Sequence, residues 1–294
     1  MKLIQKIEDY TILYKDSRSQ IAEFLIHNKD DLNNYSMNDI SKQTYSSKTT
    51  LVRFAKSLGF SGWKELIKTL IEEIRYEETH YSAISPNIPF DKNDSFQKIV
   101  QNISTVQIES INDTADRIDT AALEEAVGKL IGANRIVVLG MSPNNLLAEI
   151  FRRKMATIGK IVEVAPPGEI GIIAYSLTNK DTAIVISYSG NDVSREPMKF
   201  IPDMNSKGVK LIGITSDGYN YMRQEIDTVL TISSREGLYK KISNFSTEES
   251  ILFILNVLYA CFFSTEYIKH YTYKLKNSIK LEESRRIRQM DLKE

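Results

Sequence analysis

The sequence predicts two domains of different fold class, an all-α helix-turn-helix domain followed by an α/β domain with a five-stranded parallel sheet flanked by helices. Two short amphipathic helix patterns, joined by a tight turn, lie between Ser36 and Gly59. From Arg135 onward, short β-branched runs alternate with helical patterns. A segment with two prolines and no periodicity separates the two regions. With 294 residues the chain exceeds the usual length of one domain. The predicted parts are residues 1–78, a linker at 79–95, and residues 96–294.

The helices of the first domain follow from spacing and caps. A helix from Ser19 to His27 precedes the motif. Ser36 can cap the first motif helix with its hydroxyl, and the second is predicted to start at Ser47. Gly59 is expected to end the second helix in a left-handed conformation. The predicted buried stripe of this second helix is Leu51, Val52, Ala55 and Leu58.

The opposite side of the second motif helix is polar and basic. Hydroxyls lie at its amino end and cations behind them, as suits a helix inserted into a major groove. The residues predicted to contact double-stranded DNA are Ser46, Ser47, Lys48, Thr49, Thr50, Arg53 and Lys56. The alternative is an ordinary pair of helices with a solvated basic face. Between Lys42 and Lys68, six Lys or Arg stand against one acid, whereas the whole chain carries 38 residues of each sign. This local excess favours phosphate contacts.

Three further helices are predicted around the linker. Residues 64–76 carry apolar side chains at helical spacing, and Trp63 before them is expected to be a packing anchor. Residues 96–113 form a long amphipathic pattern that could bundle with a second copy of itself, and residues 121–131 form another.

Five short runs are predicted to form the parallel sheet. They are residues 135–140, 161–165, 182–187, 209–215 and 228–232. Each run is too uniformly apolar for a half-exposed strand, which argues for a sheet covered on both faces. Each of the four intervals has room for a crossover helix. The chain is again helical from residue 245 to 278.

Composition argues against several classes of protein. The most apolar stretch, Ile251 to Phe263, is too short for a membrane span and is interrupted by Asn256. The first ten residues lack the apolar region of a signal peptide, so a cytoplasmic location and no membrane partner are expected. Cys261 is expected to be a small buried thiol. The three histidines are scattered, so neither a metal nor another cofactor is predicted.

Ligands of such sheets lie beyond the carboxyl ends of the strands. Three loops there are candidates, at residues 140–145, 187–192 and 215–218. The second is the sharpest, because two hydroxyls flank Tyr188 and Gly190 lets the backbone approach an anion. A helix capped by Ser194 is expected to follow. The alternative is a plain turn and cap, but the position on the predicted middle strand favours a binding site.

Two stretches resemble known families. LVRFAKSLGFSGWKELI, at residues 51–67, resembles the end of the helix-turn-helix in RpiR- and MurR-type transcriptional regulators. DTAIVISYSGND followed by VKLIGITSD resembles the sugar isomerase (SIS) domain that those regulators carry. The resemblance implies a DNA-binding regulator whose second domain senses a phosphosugar or related small-molecule effector. It also implies a homodimer or homotetramer.

The family's ligand residues carry over unevenly. In the first loop the family's glycine, glycine and serine fall on Gly140, Ser142 and Asn144, so only the first glycine is retained. In the second loop the serines and the glycine are retained, but the usual threonine falls on Asp192. A serine before the fourth crossover falls on Asn220. The predicted ligand-binding residues are Ser142, Asn144, Ser187, Ser189, Gly190, Asn191 and Asp192.

Asp192 leaves three explanations open, because a carboxylate beside a phosphate is repulsive. In the first, the Asp192 carboxylate points away from the pocket, and Ser187, Ser189, Asn144 and loop amides hold the phosphate. In the second, the carboxylate binds a sugar hydroxyl or an amine of a different ligand. In the third, the site is vestigial. The last explanation would leave a constitutive DNA-binding dimer.

Sugar-phosphate isomerase activity is a further alternative. It would need a general base, for which only Glu169, Glu248 and Glu249 are candidates. These acids are better explained as solvated or capping groups, and no histidine lies near the three loops. A protein that is not an enzyme is therefore predicted.

Overall fold

The computed structural model describes residues 3–237, 239 and 241–290, with side chains as far as residue 283. The chain forms two compact units. The N-terminal unit comprises Met1–Asp113 and Ser233–Thr247, and the C-terminal unit comprises Thr114–Ile232 and Glu248–Glu294.

The N-terminal unit is helical, as predicted. Its helices are α1 (Leu3–Leu13), α2 (Ser17–His27), α3 (Met37–Gln43), α4 (Lys48–Ser57), α5 (Trp63–His80) and the greater part of α6 (Phe96–Asp116), with a 3-10 helix at Lys29–Asn34. Helices α1 to α5 and the 3-10 helix enclose one core, in which Leu25, Leu51, Leu66 and Leu70 are almost fully buried.

Local hydrogen bonds fix the ends of α3 and α4. The Ser36 hydroxyl accepts from the main-chain N–H of Asp39 at 3.2 Å, and the Asp39 carboxylate accepts from the Ser36 N–H at 3.0 Å. This capping box confirms the predicted start. Ser47 is the N-cap of α4, not its first residue. Gly59 has φ +95°, as predicted, and its N–H donates to the Lys56 carbonyl at 3.0 Å.

The buried side of α4 differs from the predicted stripe in two positions. Phe54 is almost fully buried, whereas Val52 is only half-buried. The reason is aromatic packing, because the Phe54 ring lies 5.5 Å from Tyr10 and 6.5 Å from Trp63. Trp63 is 7% exposed, so its predicted role as a packing anchor is confirmed.

The C-terminal unit is built on the predicted five-stranded parallel sheet. The strands are β1 (Ile136–Gly140), β2 (Val162–Val164), β3 (Thr182–Ile186), β4 (Lys210–Ser216) and β5 (Val229–Ile232). Every adjacent pair is parallel, and their order across the sheet is β2-β1-β3-β4-β5. The five runs and their parallel pairing are confirmed.

Helices cover both faces of this sheet. They are α7 (Thr120–Ile131), α8 (Asn144–Ala156), α9 (Ile170–Ser176), α10 (Ile201–Ser206), α11 (Tyr221–Glu225) and α12 (Thr247–Thr265), and α13 (Tyr267–Met290), which is largely exposed as far as residue 283, follows them. Side chains of α7, α8 and α12 share one core with the sheet, and those of α9, α10 and α11 share a core on the other face.

Helix α12 is longer than its apolar stretch indicated. It has 19 residues and, by length and composition alone, could cross a membrane, contrary to the prediction. Its Ile251, Ile254, Leu255 and Leu258 are buried in the core against the sheet. This is the position of a core helix in a globular domain. Asn256, which interrupts the apolar run, accepts a hydrogen bond from the Lys154 ammonium.

The segment after β5 is part of the N-terminal unit. The Gln5 side-chain amide donates to the carbonyls of Ser234 at 2.7 Å and Glu236 at 3.1 Å. The Gly237 N–H donates to the Asn87 side chain at 2.7 Å. Residues 233–247 are therefore fixed by partners that lie about 150 residues or more away in the chain.

Candidate DNA-binding and effector sites

The outer face of α4 carries most of the predicted DNA contacts. Ser47, Lys48, Thr49, Arg53 and Lys56 are exposed. Neither these three cations nor Thr49 has a side-chain partner among the described residues. Since they recur at helical spacing behind the amino end of α4, the structure brings them onto one accessible basic surface.

Two of the predicted contacts also hold the turn together. Ser46 is half-buried, and its hydroxyl shares a hydrogen bond of 2.7 Å with Thr44. Thr50 is half-buried as well, and its hydroxyl lies 2.9 Å from that of Ser47. The Ser47 hydroxyl accepts from the Thr50 N–H at 3.1 Å. These three hydroxyls preorganise the amino end of α4.

Tyr45 is a surface feature that the sequence did not single out. It lies between α3 and α4 with φ +47°, and its side chain is 94% exposed. A left-handed residue other than glycine costs about 1–2 kcal/mol. The sequence carries no signal for this in the four-residue connection from Thr44 to Ser47, because bulky aromatic residues ordinarily avoid the left-handed region.

The first two candidate loops meet at a reversal in strand order. The chain passes from β1 to β2 on one side and returns to β3 on the other side of β1. The loops that leave β1 and β3 therefore diverge, and in open parallel sheets such a point is where a ligand-binding crevice forms at the carboxyl edge. The Asn144 side-chain amide spans this point, because its Nδ2 donates to the Ile186 carbonyl at 3.3 Å.

The second loop is fixed against the third. Gly190 has φ +61°, and a Cβ there would lie 2.7 Å from Thr215 Oγ1, so only glycine fits. The Gly190 carbonyl accepts from the Met222 N–H at 2.9 Å. Ser187 and Ser189 are half-buried on either side of Tyr188, and Ser187 Oγ accepts from the Gly190 N–H at 3.3 Å.

Asp192 turns its carboxylate toward the residues that follow it. One oxygen accepts from the Ser194 N–H at 3.1 Å and from its hydroxyl at 2.6 Å, and the other lies 3.1 Å from the Arg195 Nε. The hydrogen bond from the Ser194 side chain is the main reason that the pKa of Asp192 lies below its ordinary value. The carboxylate is solvent-exposed and partly neutralised.

The helix expected at Ser194 does not form. Residues 193–197 make turns, and the next helical residues are the 3-10 helix Met198–Phe200. Asp192 engages both the N–H and the hydroxyl of Ser194, so that hydroxyl does not act as a helix cap. Pro197 also disfavours helical backbone in the residue before it.

The first and third candidate loops differ in how their polar side chains are placed. Ser142 is exposed, and α8 begins without a side-chain cap. Asn220 is the N-cap of α11 and accepts from the Arg223 N–H at 3.0 Å. Its Nδ2 donates to Thr215 Oγ1 at 3.2 Å, so Asn220 supports the loop from within. Asn191 is exposed beside the crevice.

The candidate bases lie at helix starts. Glu169 is exposed at the N-cap position of α9, and Glu248 and Glu249 lie in the first turn of α12. In the part of the chain that the structure describes, no group of three or more His, Cys, Asp or Glu is placed to hold a metal ion.

Comparison with known proteins agrees with this architecture. Residues 1–77 match the helix-turn-helix domain of the rpiR family, and residues 129–260 match the SIS domain. Together they define a helix-turn-helix transcriptional regulator with a SIS domain. The chain thus combines an RpiR-family helix-turn-helix domain with a SIS domain, and its homologues are HTH-type transcriptional regulators.

Relatives and solved structures share most of the chain. An HTH-type transcriptional regulator of Clostridium perfringens is 24% identical over 269 residues, covering 92% of this chain and 93% of the relative. One from Haemophilus influenzae is 27% identical over 245 residues, covering 83% and 84%. The fold is shared with the Vibrio vulnificus NanR protein complexed with ManNAc-6P (TM-score 0.59, 16% identity, 95% and 98% covered). It is also shared with the sugar isomerase domain of an RpiR transcription factor from Sphaerobacter thermophilus (TM-score 0.53, 21% identity, 63% and 99% covered).

Proposed function

We propose that this regulator binds operator DNA through α4 and that a sugar phosphate, or a related metabolite, bound at the carboxyl ends of β1 and β3 changes its affinity for DNA. The observation that carries the proposal is the reversal of strand order, where Asn144 bridges the ends of β1 and β3 and the Ser187–Gly190 loop is held in place. NanR, which has the same fold, was solved with the sugar phosphate ManNAc-6P.

On the DNA side, each residue has a role that fits its position. Lys48, Arg53 and Lys56 contact phosphates, since they are exposed and form no ion pair among the described residues. Thr49 contacts base edges or phosphates in the major groove, and the hydroxyls of Ser46, Ser47 and Thr50 orient the helix start. Binding therefore weakens steeply as the salt concentration rises.

On the effector side, hydroxyls and loop amides hold the phosphate. Ser187 and Ser189 provide the hydroxyls, Gly190 lets the backbone approach, and Asn144 lines the opposite wall. Ser142 and Asn191 lie exposed at the rim. The contacts of Asp192 with Ser194 and Arg195 favour the first of the three explanations, in which its carboxylate points away from the phosphate.

The proposal extends to organisation. The functional parts are residues 1–78, the linker 79–95 and residues 96–294. A homodimer or homotetramer fits because a helix-turn-helix protein reads paired half-sites. Phe96 and Val100, one turn apart on α6, are exposed and provide an apolar face for a second copy. A DNA-binding regulator of this kind acts in the cytoplasm and needs no cofactor.

A constitutive DNA-binding dimer with a vestigial site is the second candidate. Asn144, Asp192 and Asn220 favour it, because each replaces a residue of the family's phosphate cradle. An isomerase is not favoured, since Glu169 is exposed at the start of α9, and Glu248 and Glu249 are only partly buried in the first turn of α12.

Calorimetric titration tests the effector site. The panel comprises ManNAc-6P, mannose 6-phosphate, glucosamine 6-phosphate and inorganic phosphate. We expect at least one sugar phosphate to bind, and Ser187→Ala to weaken that binding at least tenfold. If no member binds the parent protein, or if binding is indifferent to Ser187, the site is not the one proposed.

A further inference from the structure

Asn145 is the second residue of α8, and it has a buried amide that the family resemblance does not assign. Only 8% of Asn145 is exposed. Its Oδ1 is fully buried and accepts no hydrogen bond from the part of the chain that the structure describes. Among the described residues its main-chain N–H also has no acceptor. Buried polar groups nearly always have a hydrogen-bond partner, so Asn145 Oδ1 needs a donor from a water molecule or from a ligand.

The helix geometry shows which way this amide faces. Asn145, Ala148, Phe151 and Met155 form the buried stripe of α8. The last three pack in the core shared by α8, α12 and one face of the sheet. Asn145 continues that stripe by one turn toward the start of the helix, where α8 leaves the carboxyl end of β1. Its amide is therefore directed inward at the level of the crevice.

Two neighbours place this amide beside the proposed effector. The adjacent Asn144 donates to the Ile186 carbonyl at the end of β3. Tyr188, between the two serines of the second loop, packs against the same core as the Asn145 stripe. The orphan amide thus directly follows Asn144 in the chain and lies on the buried side of α8, which faces the core that Tyr188 also contacts.

The hydrogen-bonding character of Asn145 Oδ1 determines which group of the ligand can contact it. Oδ1 is an acceptor and needs a donor. A phosphate monoester is largely dianionic at neutral pH and offers acceptor oxygens. A hydroxyl or an amide N–H on the sugar offers the donor.

We propose that Asn145 is a specificity-determining residue whose Oδ1 accepts a hydrogen bond from a hydroxyl or acylamino N–H of the bound sugar, while the phosphate is held elsewhere in the crevice. The inference rests on the proposed function and names the effector class more closely, as a sugar phosphate with a donor at this position. A site built to bind a donor rejects analogues that lack it, because its buried acceptor is then left unpaired.

The test compares Asn145→Leu, which keeps the volume and removes the polar atoms, with Leu146→Ala as a control on the exposed side of the same helical turn. Without ligand, Asn145→Leu should melt at the same temperature as the parent or higher, because no internal hydrogen bond is lost. Its affinity for the panel's best sugar phosphate should fall at least tenfold, while its weaker affinity for inorganic phosphate stays unchanged. Leu146→Ala should keep both affinities.

Three other results would contradict the inference, and one of them would also contradict the proposed function. A drop of several degrees in the melting temperature of ligand-free Asn145→Leu would show that the amide is satisfied inside the protein, which overturns the inference. Full sugar-phosphate affinity in Asn145→Leu would also overturn it and leave the proposed function intact. If no panel member binds the parent, the proposed function fails, and the inference fails with it.

Discussion

The carboxylate of Asp192 accepts two hydrogen bonds from Ser194, one from the main-chain N–H at 3.1 Å and one from the hydroxyl at 2.6 Å. The same carboxylate lies 3.1 Å from Arg195. The negative charge of Asp192, which would repel a phosphate, thereby points toward Ser194 and Arg195 and is partly neutralised by Arg195. The family resemblance left this residue with three explanations, and its side-chain geometry favours one of them.

Replacing Asp192 should therefore have little effect on the effector. In Asp192→Ala, affinity for the best sugar phosphate should stay within about fivefold of the parent or increase, since one nearby negative charge is removed. Calorimetric titration measures this, with Ser187→Ala as the variant expected to lose binding. A loss of tenfold or more in Asp192→Ala would instead show that the carboxylate binds the sugar.

Arg53 should be essential for DNA binding and dispensable for folding. Its side chain is exposed and forms no ion pair among the described residues, so Arg53→Ala should keep the unfolding free energy within about 0.5 kcal/mol. Retardation of promoter DNA should be lost. Lys92→Ala, which removes an exposed cation outside the motif, should retard DNA as the parent does. Retardation by Arg53→Ala at parental strength would refute the assignment of α4 as the reading helix.

Two glycines with positive φ should respond differently to alanine. At Gly59 no atom lies within 4 Å of the added Cβ, so Gly59→Ala should cost only the left-handed conformation, about 1–2 kcal/mol. At Gly190 the Cβ would lie 2.7 Å from Thr215 Oγ1 and 2.9 Å from Asn220, so the second and third loops must separate. Gly190→Ala should lose effector binding as well as stability. Urea unfolding and calorimetry together check this, and a Gly190→Ala variant with parental affinity would contradict the described loop contact.

The buried Glu236 predicts a pH dependence. Burial raises its pKa above the ordinary value of 4.5, although hydrogen bonds from Thr247 and Ser246 oppose the shift. The folded state then holds this proton when the unfolded chain has lost it, so the folded state binds more protons and stability falls as the pH rises above about 4.5. Relative to Glu236→Gln, the parent should lose stability between pH 4.5 and 7.5. Denaturant unfolding of both proteins across this range measures the difference, and parallel curves would contradict the raised pKa.

Local signals in the sequence predicted much of this fold. The cap at Ser36, the left-handed Gly59 and the five strand runs each depend on nearby residues or on short periodicity, and the structure confirms them. The position of the three loops at the carboxyl ends of the strands could also be anticipated once the sheet is parallel, whereas the strand order could not.

The remaining features depend on contacts between distant residues. Phe54 is buried because Tyr10 and Trp63 surround it, and nothing in the spacing of α4 shows that. Residues 233–247 follow β5 in sequence but pair with Gln5 and Asn87. The orphan amide of Asn145 becomes visible only when its surroundings are known, since an Asn in a helical first turn usually faces solvent.

The proposed function requires that effector binding changes the affinity of the protein for DNA, and this change can be measured directly. The affinity of the purified protein for DNA from upstream of its own gene is measured by fluorescence anisotropy at fixed salt. It is measured with and without a sugar phosphate whose binding has been established by calorimetry. We expect the bound ligand to change the DNA affinity about five- to hundredfold, in either direction. An unchanged DNA affinity at a saturating concentration of that bound ligand would contradict it and favour the constitutive dimer.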